Sequence, residues 1–172
     1  MERTIRMIEA LTSVVGGIAA VLVIPLMLAT AWEVFARYVL GAPTIWAFEL
    51  GYMLMGVHFL LGGALALKNQ VHVRIDLIYA RLSSRRRALI DLTLYTFFVL
   101  PAVTLIVLRF GEFTFAAFES GEHSGQSAWN PLIWPFRAAI VASFALLGLQ
   151  IFAEMLKCIH AIRNRVPYPR GK

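Results

Sequence analysis

Charge is scarce in this 172-residue chain: Asp, Glu, Lys and Arg together make up 15% of it. With 59% of the residues hydrophobic, too little polar surface remains to coat a soluble globule of this size. Cysteine is nearly absent as well. The single Cys158 excludes an internal disulfide and reads as a structural thiol. No nucleophile-base pair, metal-ligand cluster or phosphate-cradling glycine loop is present, so neither catalysis nor a cofactor or metal is expected. Internal repeats, low-complexity tracts and a second domain are also missing.

What the chain does have is four uncharged apolar runs. They hold 23 residues between Glu9 and Glu33, 18 between Glu49 and Lys68, 17 between Asp91 and Arg109, and 16 between Arg137 and Glu154. About 20 helical residues cross a hydrocarbon core. The expected fold class is therefore an all-α integral membrane protein with four transmembrane helices in one domain over 1–172.

The net charge of +6 fits this topology and is no nucleic-acid signal. Of the 16 Lys and Arg, 13 lie at the N-terminus, in the middle connection (Lys68 to Arg87) or in the tail from Lys157. Four crossings put those places on one side, and basic loops stay cytoplasmic, so both termini are expected inside a bacterial inner membrane. Trp32, Tyr38, Trp46, Trp129 and Trp134 fall at the opposite interface, where amphipathic rings prefer to sit. Arg3 and Arg6 ahead of an apolar run ending near Ala29-Thr30-Ala31 imitate a secretory signal. The run is longer than the roughly 7–15 residues of a signal core, and cleavage would remove one helix of a charge-consistent set, so retention is expected.

The helices are expected at about 5–38, 44–68, 86–110 and 131–160. Pro25 predicts a kink in the first, because it removes a backbone hydrogen bond. Gly41 and Pro43 close that helix, and Thr44 caps the second, where Gly62 and Ala66 form a small-xxx-small pair for helix packing. Over about 71–82, Val71, Ile75, Ile78 and Leu82 repeat at helical spacing while Arg74 and Arg81 take another face. That pattern predicts a short amphipathic interfacial helix whose basic face meets anionic lipid headgroups; a strand start is the alternative. The third helix carries Pro101 and continues into an acidic outer stretch with Glu112, Glu119 and Glu122. Asn130-Pro131 predicts a cap and first turn for the fourth helix. The tail over about 164–172 is expected to be disordered.

Inside the spans, polar groups are few. A transporter or channel working alone needs charged or polar groups and broken helices at mid-membrane. Here Tyr52, His58, Tyr95, Gln150 and scattered Thr and Ser are what is offered. His58 is the one ionisable group deep in a span; without a second histidine at that depth, it reads as a hydrogen-bonded packing or subunit-contact residue. Glu33 and Arg37 are spaced i, i+4 for a salt bridge. Glu49 is either a solvated headgroup-level carboxylate or buried, in which case Arg37 across the turn, or another subunit, is the expected partner.

The run from Trp32 to Asp91 resembles the small membrane subunit, the DctQ-like small permease, of tripartite ATP-independent periplasmic (TRAP) transporters. The resemblance rests on Ala36-Arg37-Tyr38, on Pro43-Thr44-x-Trp46 followed by Glu49, and on Gly62-Gly63-Ala64. It continues with His72-Val73-Arg74-Ile75-Asp76 ahead of Arg85 to Arg87, and with SAWNPLIWPFRAAI from Ser127 to Ile140. Many members carry two adjacent acidic residues after the tryptophan; here Phe48 precedes Glu49, so a salt-bridge role there rests on Glu49 alone.

The resemblance implies a non-catalytic scaffold beside a large multi-pass subunit that binds sodium and substrate. It also implies a periplasmic substrate-binding protein that delivers an organic acid. On that footing Arg37, Trp46 and Glu49 hold the outer turn, and His72, Arg74 and Asp76 fix the interfacial helix. Glu112, Glu119, Glu122 and Trp129 are exposed candidates for contact with the binding protein. A stand-alone four-helix transporter centred on Glu49, and a membrane anchor of a respiratory complex, are the alternatives.

Overall fold

A computed structural model of the chain describes residues 2–70 and 82–164. Within them four helical stretches are long and apolar enough to cross a membrane. The first span is α1 (Glu2–Val21) followed by α2 (Val23–Tyr38), and the second is α3 (Ala47–Lys68). The third comprises α4 (Ser84–Leu94), a π-helical turn (Tyr95–Val99) and α5 (Leu100–Ser120); the fourth is α6 (Trp134–Asn164). The chain is an all-α membrane protein. The interfacial helix expected over 71–82 lies outside the described residues except for Leu82, as does the tail after Asn164.

Each proline inside a span leaves a local defect upstream of itself. Pro25 cannot donate to the Val21 carbonyl. The helix breaks at Leu22, whose N–H is shared between the carbonyls of Ile18 (3.2 Å) and Ala19 (3.1 Å). Pro101 likewise has no proton for the Phe97 carbonyl, and the π turn over Tyr95–Val99 absorbs the missing bond, with Leu100 N–H reaching back to Tyr95.

Three boundaries differ from the sequence reading. The third span does not end near Phe110 but runs as helix to Ser120. Gly111 alone does not break it, and Gly121, at φ +62°, supplies the left-handed cap with Glu122 N–H returning to the Ala117 carbonyl. Asn130-Pro131 does not start the fourth helix. Asn130 sits at φ +44° and its Oδ1 accepts from Gly125 N–H at 2.8 Å, while the Pro131 carbonyl accepts from Ser124 N–H at 2.9 Å. The pair thus closes a hairpin-like clasp over 121–133, and Pro135 takes the first-turn position of α6 instead. Thr44 stands outside α3, which begins at Ala47.

The first, second and fourth spans pack on one another, and the third lies against the fourth. α3 touches α1, α2 and α6; α6 also touches α1, α4 and α5; contact between the first and third spans is absent or slight among the described residues. The fourth span is accordingly the best covered, with 33% of its apolar window buried against 11% for the second and third. Helices meet through small residues: Ala19, Ala64, Ala88, Ala117 and Ala153 are fully or almost fully buried. That is the pattern expected where lipid is as apolar as a side chain and close backbone approach drives association. Among the glycines the tightest site is Gly16, where a Cβ would stand 2.7 Å from Leu65 Cδ2. Gly62, the sequence candidate for this role, faces open space. The hydroxyls of Thr30, Thr93, Thr104 and Thr114 each donate to the carbonyl four residues back, which satisfies them without a partner helix.

Candidate functional site

Polar side chains gather at the two ends of the helices. At the basic end, α6 presents Gln150, Glu154 and Lys157 on one face toward α1 and the end of α3. Glu154 is fully buried and receives three donors: Gln150 Nε2 at 2.9 Å, Lys157 Nζ at 2.7 Å and Gln70 Nε2 at 3.1 Å. Lys157 also pairs with Glu9 of α1, and Thr12 donates to Gln150 Oε1 at 2.9 Å. Lys68 extends the set by donating to the Glu9 carbonyl at 3.1 Å and to the Ser13 hydroxyl. A buried carboxylate is tolerable only with such a complement of partners. The network ties the first, second and fourth spans, and it reaches Gln70, whose backbone at φ +59° carries the chain out of α3.

At the tryptophan-rich end, Glu33 is the hub of the turn between α2 and α3. One carboxylate oxygen pairs with Arg37, whose Nε stands at 2.9 Å; the other accepts from the Thr44 N–H at 2.9 Å and the Thr44 hydroxyl. Thr44 Oγ1 in turn accepts from Ala47 N–H at 3.4 Å, a weak contact with the first turn of α3. Arg37 is thereby committed to Glu33, and the expected Arg37 to Glu49 pairing does not form. Glu49 is fully buried, and Oε2 accepts from the hydroxyl of Ser127 in the clasp loop; Oε1 has no hydrogen-bond partner among the described residues. The clasp itself is held by Arg137, which grips Glu122 with two bonds of 2.7 and 2.8 Å.

The remaining sequence candidates are spread. Trp46 is half-buried at the start of α3, beside the Glu33 turn. His58 packs between the first and second spans, where Nδ1 lies 2.7 Å from the Ala19 carbonyl; because a carbonyl only accepts, Nδ1 carries the proton. That carbonyl belongs to the break at Leu22, so the imidazole joins α3 to the kink. Glu112 pairs with Arg109 on the open face of α5, and Glu119 is exposed near its end. Trp129 is partly exposed on the clasp, its N–H 3.2 Å from Ser127 Oγ. His72, Arg74, Asp76 and Arg81 lie outside the described residues.

Residues 26–161 match the family of tripartite ATP-independent periplasmic transporters, DctQ component. The chain belongs to this family. It is also 27% identical over 107 residues to the sialic acid TRAP transporter small permease protein SiaQ of Vibrio cholerae serotype O1, a match covering 60% of this chain and 62% of that protein. A DctQ-type small permease is a component of a transporter, and in this one the polar network around Glu154 is the feature that residue-by-residue reading passed over. Its signal was available: Gln150, Glu154 and Lys157 recur at i, i+4 and i+7, and Glu9, Thr12 and Ser13 at i, i+3 and i+4. Each set lies on one face of its helix.

Proposed function

We propose that this small permease is the stationary, non-catalytic partner of a large sodium-coupled membrane subunit, and that the pair takes up an organic acid delivered by a periplasmic substrate-binding protein. The chain lies in the bacterial inner membrane with both termini cytoplasmic. The observation that carries this reading is how its polar side chains are used. Thr12, Gln150, Glu154, Lys157 and His58 are spent on joining spans to one another, while most of the span surface is left uncovered. Such a molecule braces a neighbour; it does not assemble an ion or substrate site of its own.

Support for the outer role comes from the tryptophan-rich end, where Glu33, Arg37, Thr44 and Trp46 fix one turn and Arg137 fixes the clasp. Glu112, Glu119, Glu122 and Trp129 then present an acidic, partly aromatic surface to the binding protein. On the cytoplasmic side, His72, Arg74, Asp76 and Arg81 hold an interfacial helix against anionic headgroups or the large subunit. The substrate class follows the family and the relative named for sialic acid.

The test is uptake into vesicles. Vesicles holding this chain alone should take up no organic acid, whereas those holding both membrane subunits, supplied with binding protein and a sodium gradient, should. Uptake by the chain alone would instead favour the stand-alone transporter. Exchange of Arg74 and Arg81 together for Glu should lower the yield of the complex; normal yield and normal uptake would remove the interfacial helix from the bracing role.

A further inference from the structure

At the tryptophan-rich end a cleft of about 540 Å³ opens between α3, α5 and α6. The charges around it fix its depth in the bilayer. The uncharged runs of these three spans begin or end at Glu49, Arg109 and Arg137. The cleft lies at that level, with a floor of Phe48 and Tyr52 on α3, Phe110 on α5, and Phe136 and Ile140 on α6. Its lip is polar, formed by Glu122, Ser124, Gln126 and Arg137. An apolar floor at the edge of the hydrocarbon beneath a charged lip suits an amphipathic occupant. Phe48, 71% exposed, leaves a large aromatic surface uncovered there.

The lip narrows the chemistry further. Arg137 and Glu122 stand side by side and both remain accessible, at 27% and 46% side-chain exposure. A guanidinium has five N–H donors. Arg137 gives two to the carboxylate and makes one long 3.5 Å contact to the Phe113 carbonyl, which leaves donors for a further anion. Each Glu122 oxygen accepts once from Arg137 and keeps a lone pair for a further cation. A cation and an anion with spare capacity on both complement a headgroup that itself carries both signs. An anionic headgroup would satisfy Arg137 and meet repulsion from Glu122, and a quaternary ammonium has no N–H to give the carboxylate.

We propose that this cleft binds one phospholipid with a zwitterionic, primary-ammonium headgroup. Its phosphate meets Arg137, its ammonium meets Glu122, and one acyl chain lies over Phe48, Phe136 and Ile140. The site is independent of which transporter the chain serves. Bound lipid would fill the space between the clasp and α3 and so steady the surface that carries Ser127 and Trp129.

The experiment is native mass spectrometry of the full-length chain, extracted in mild detergent with whatever subunits it holds. The preparation is titrated with phosphatidylethanolamine, phosphatidylcholine or phosphatidylglycerol. One phosphatidylethanolamine should be retained, in preference to either other lipid by about tenfold, the worth of one charge-assisted hydrogen bond. Ile140→Trp, which fills the floor, should abolish retention, and Glu122→Gln should erase the headgroup preference. Because Glu122 also holds the clasp, folding of both variants is checked by thermal melting, and Phe48→Ala, at an exposed position, provides a floor variant that leaves the clasp bonds in place. Equal retention of all three lipids by the wild type, or unchanged retention in Ile140→Trp and Phe48→Ala, would overturn the proposal. So would a photo-crosslinker at position 48 that labels another protein rather than lipid.

Discussion

Glu154 is the residue on which the basic end depends. It has no access to water, so its charge is compensated by Lys157 and by the amides of Gln70 and Gln150. Removing Glu154 takes the acceptor from the amides of Gln70 and Gln150, while Lys157 keeps Glu9 as its partner, so the cost is that of unsatisfied buried donors, about 1–3 kcal/mol. Glu154→Ala should therefore lower the melting temperature in detergent by roughly 2–12 °C, at about 2–4 °C per kcal/mol for a domain this size. Glu112→Ala should leave it nearly unchanged, since Glu112 is 67% exposed in its pair with Arg109. Equal shifts for the two variants would show that the buried network contributes nothing. The sequence displayed Gln150, Glu154 and Lys157 on one helical face, but not what they face. Their partners Glu9, Thr12 and Gln70 lie more than 80 positions away, and only the packing of α1 and α3 on α6 brings them together. The same limit explains Glu49. Proximity along the chain pointed to Arg37, yet Glu33 is one turn away from Arg37 on the same helix and takes it. Ser127, 78 positions on, takes Glu49.

Helices in this chain are placed by where backbones can approach. At Gly16 a side chain would run into Leu65, whereas Gly17, one position on, has nothing within 4 Å. Gly16→Leu should force α1 away from α3 and destabilise by about 1–3 kcal/mol, the usual cost of overpacking. Gly17→Leu should be tolerated, and thermal melting of the two variants side by side decides it; identical melting would mean that α1 does not pack through Gly16. The four spans were legible because an uncharged run of sufficient length has few alternatives in an aqueous chain. Their ends were not. The third helix passes Gly111 because a lone glycine weakens a helix by only about 1 kcal/mol, and it stops at Gly121, where the backbone turns left-handed. Asn130-Pro131 carries the signature of a helix start, but the hydrogen bonds from Gly125 and Ser124 claim it for the clasp. Likewise the small pair Gly62 and Ala66 is not where the chain's own helices meet most tightly, since Gly62 has nothing within 4 Å and is open to a contact with another subunit. Gly16 carries the same pattern with Ala20 four positions on, and its pairing with Leu65 became visible only in the packing.

As a whole molecule the chain is a small set of spans with little interior. Its second and third spans bury 11% of their apolar windows, and Phe59 and Phe97 stand 78% and 70% exposed on their helices. A bilayer accepts such surface, so exposure alone identifies no partner. The proposed scaffold role rests on a combination: polar groups are consumed in holding the spans together, both ends are pinned by ion pairs, and the family is that of a transporter component. A chemically quiet helical frame suits the proposed part that holds still while another moves. The most direct test is a pull-down of the tagged chain from its native membrane in mild detergent, with the bound proteins identified by mass spectrometry. Recovery of a large multi-pass membrane protein in fixed proportion is the predicted result. Recovery of the chain alone, still folded and with its basic-end network intact, would contradict the scaffold account.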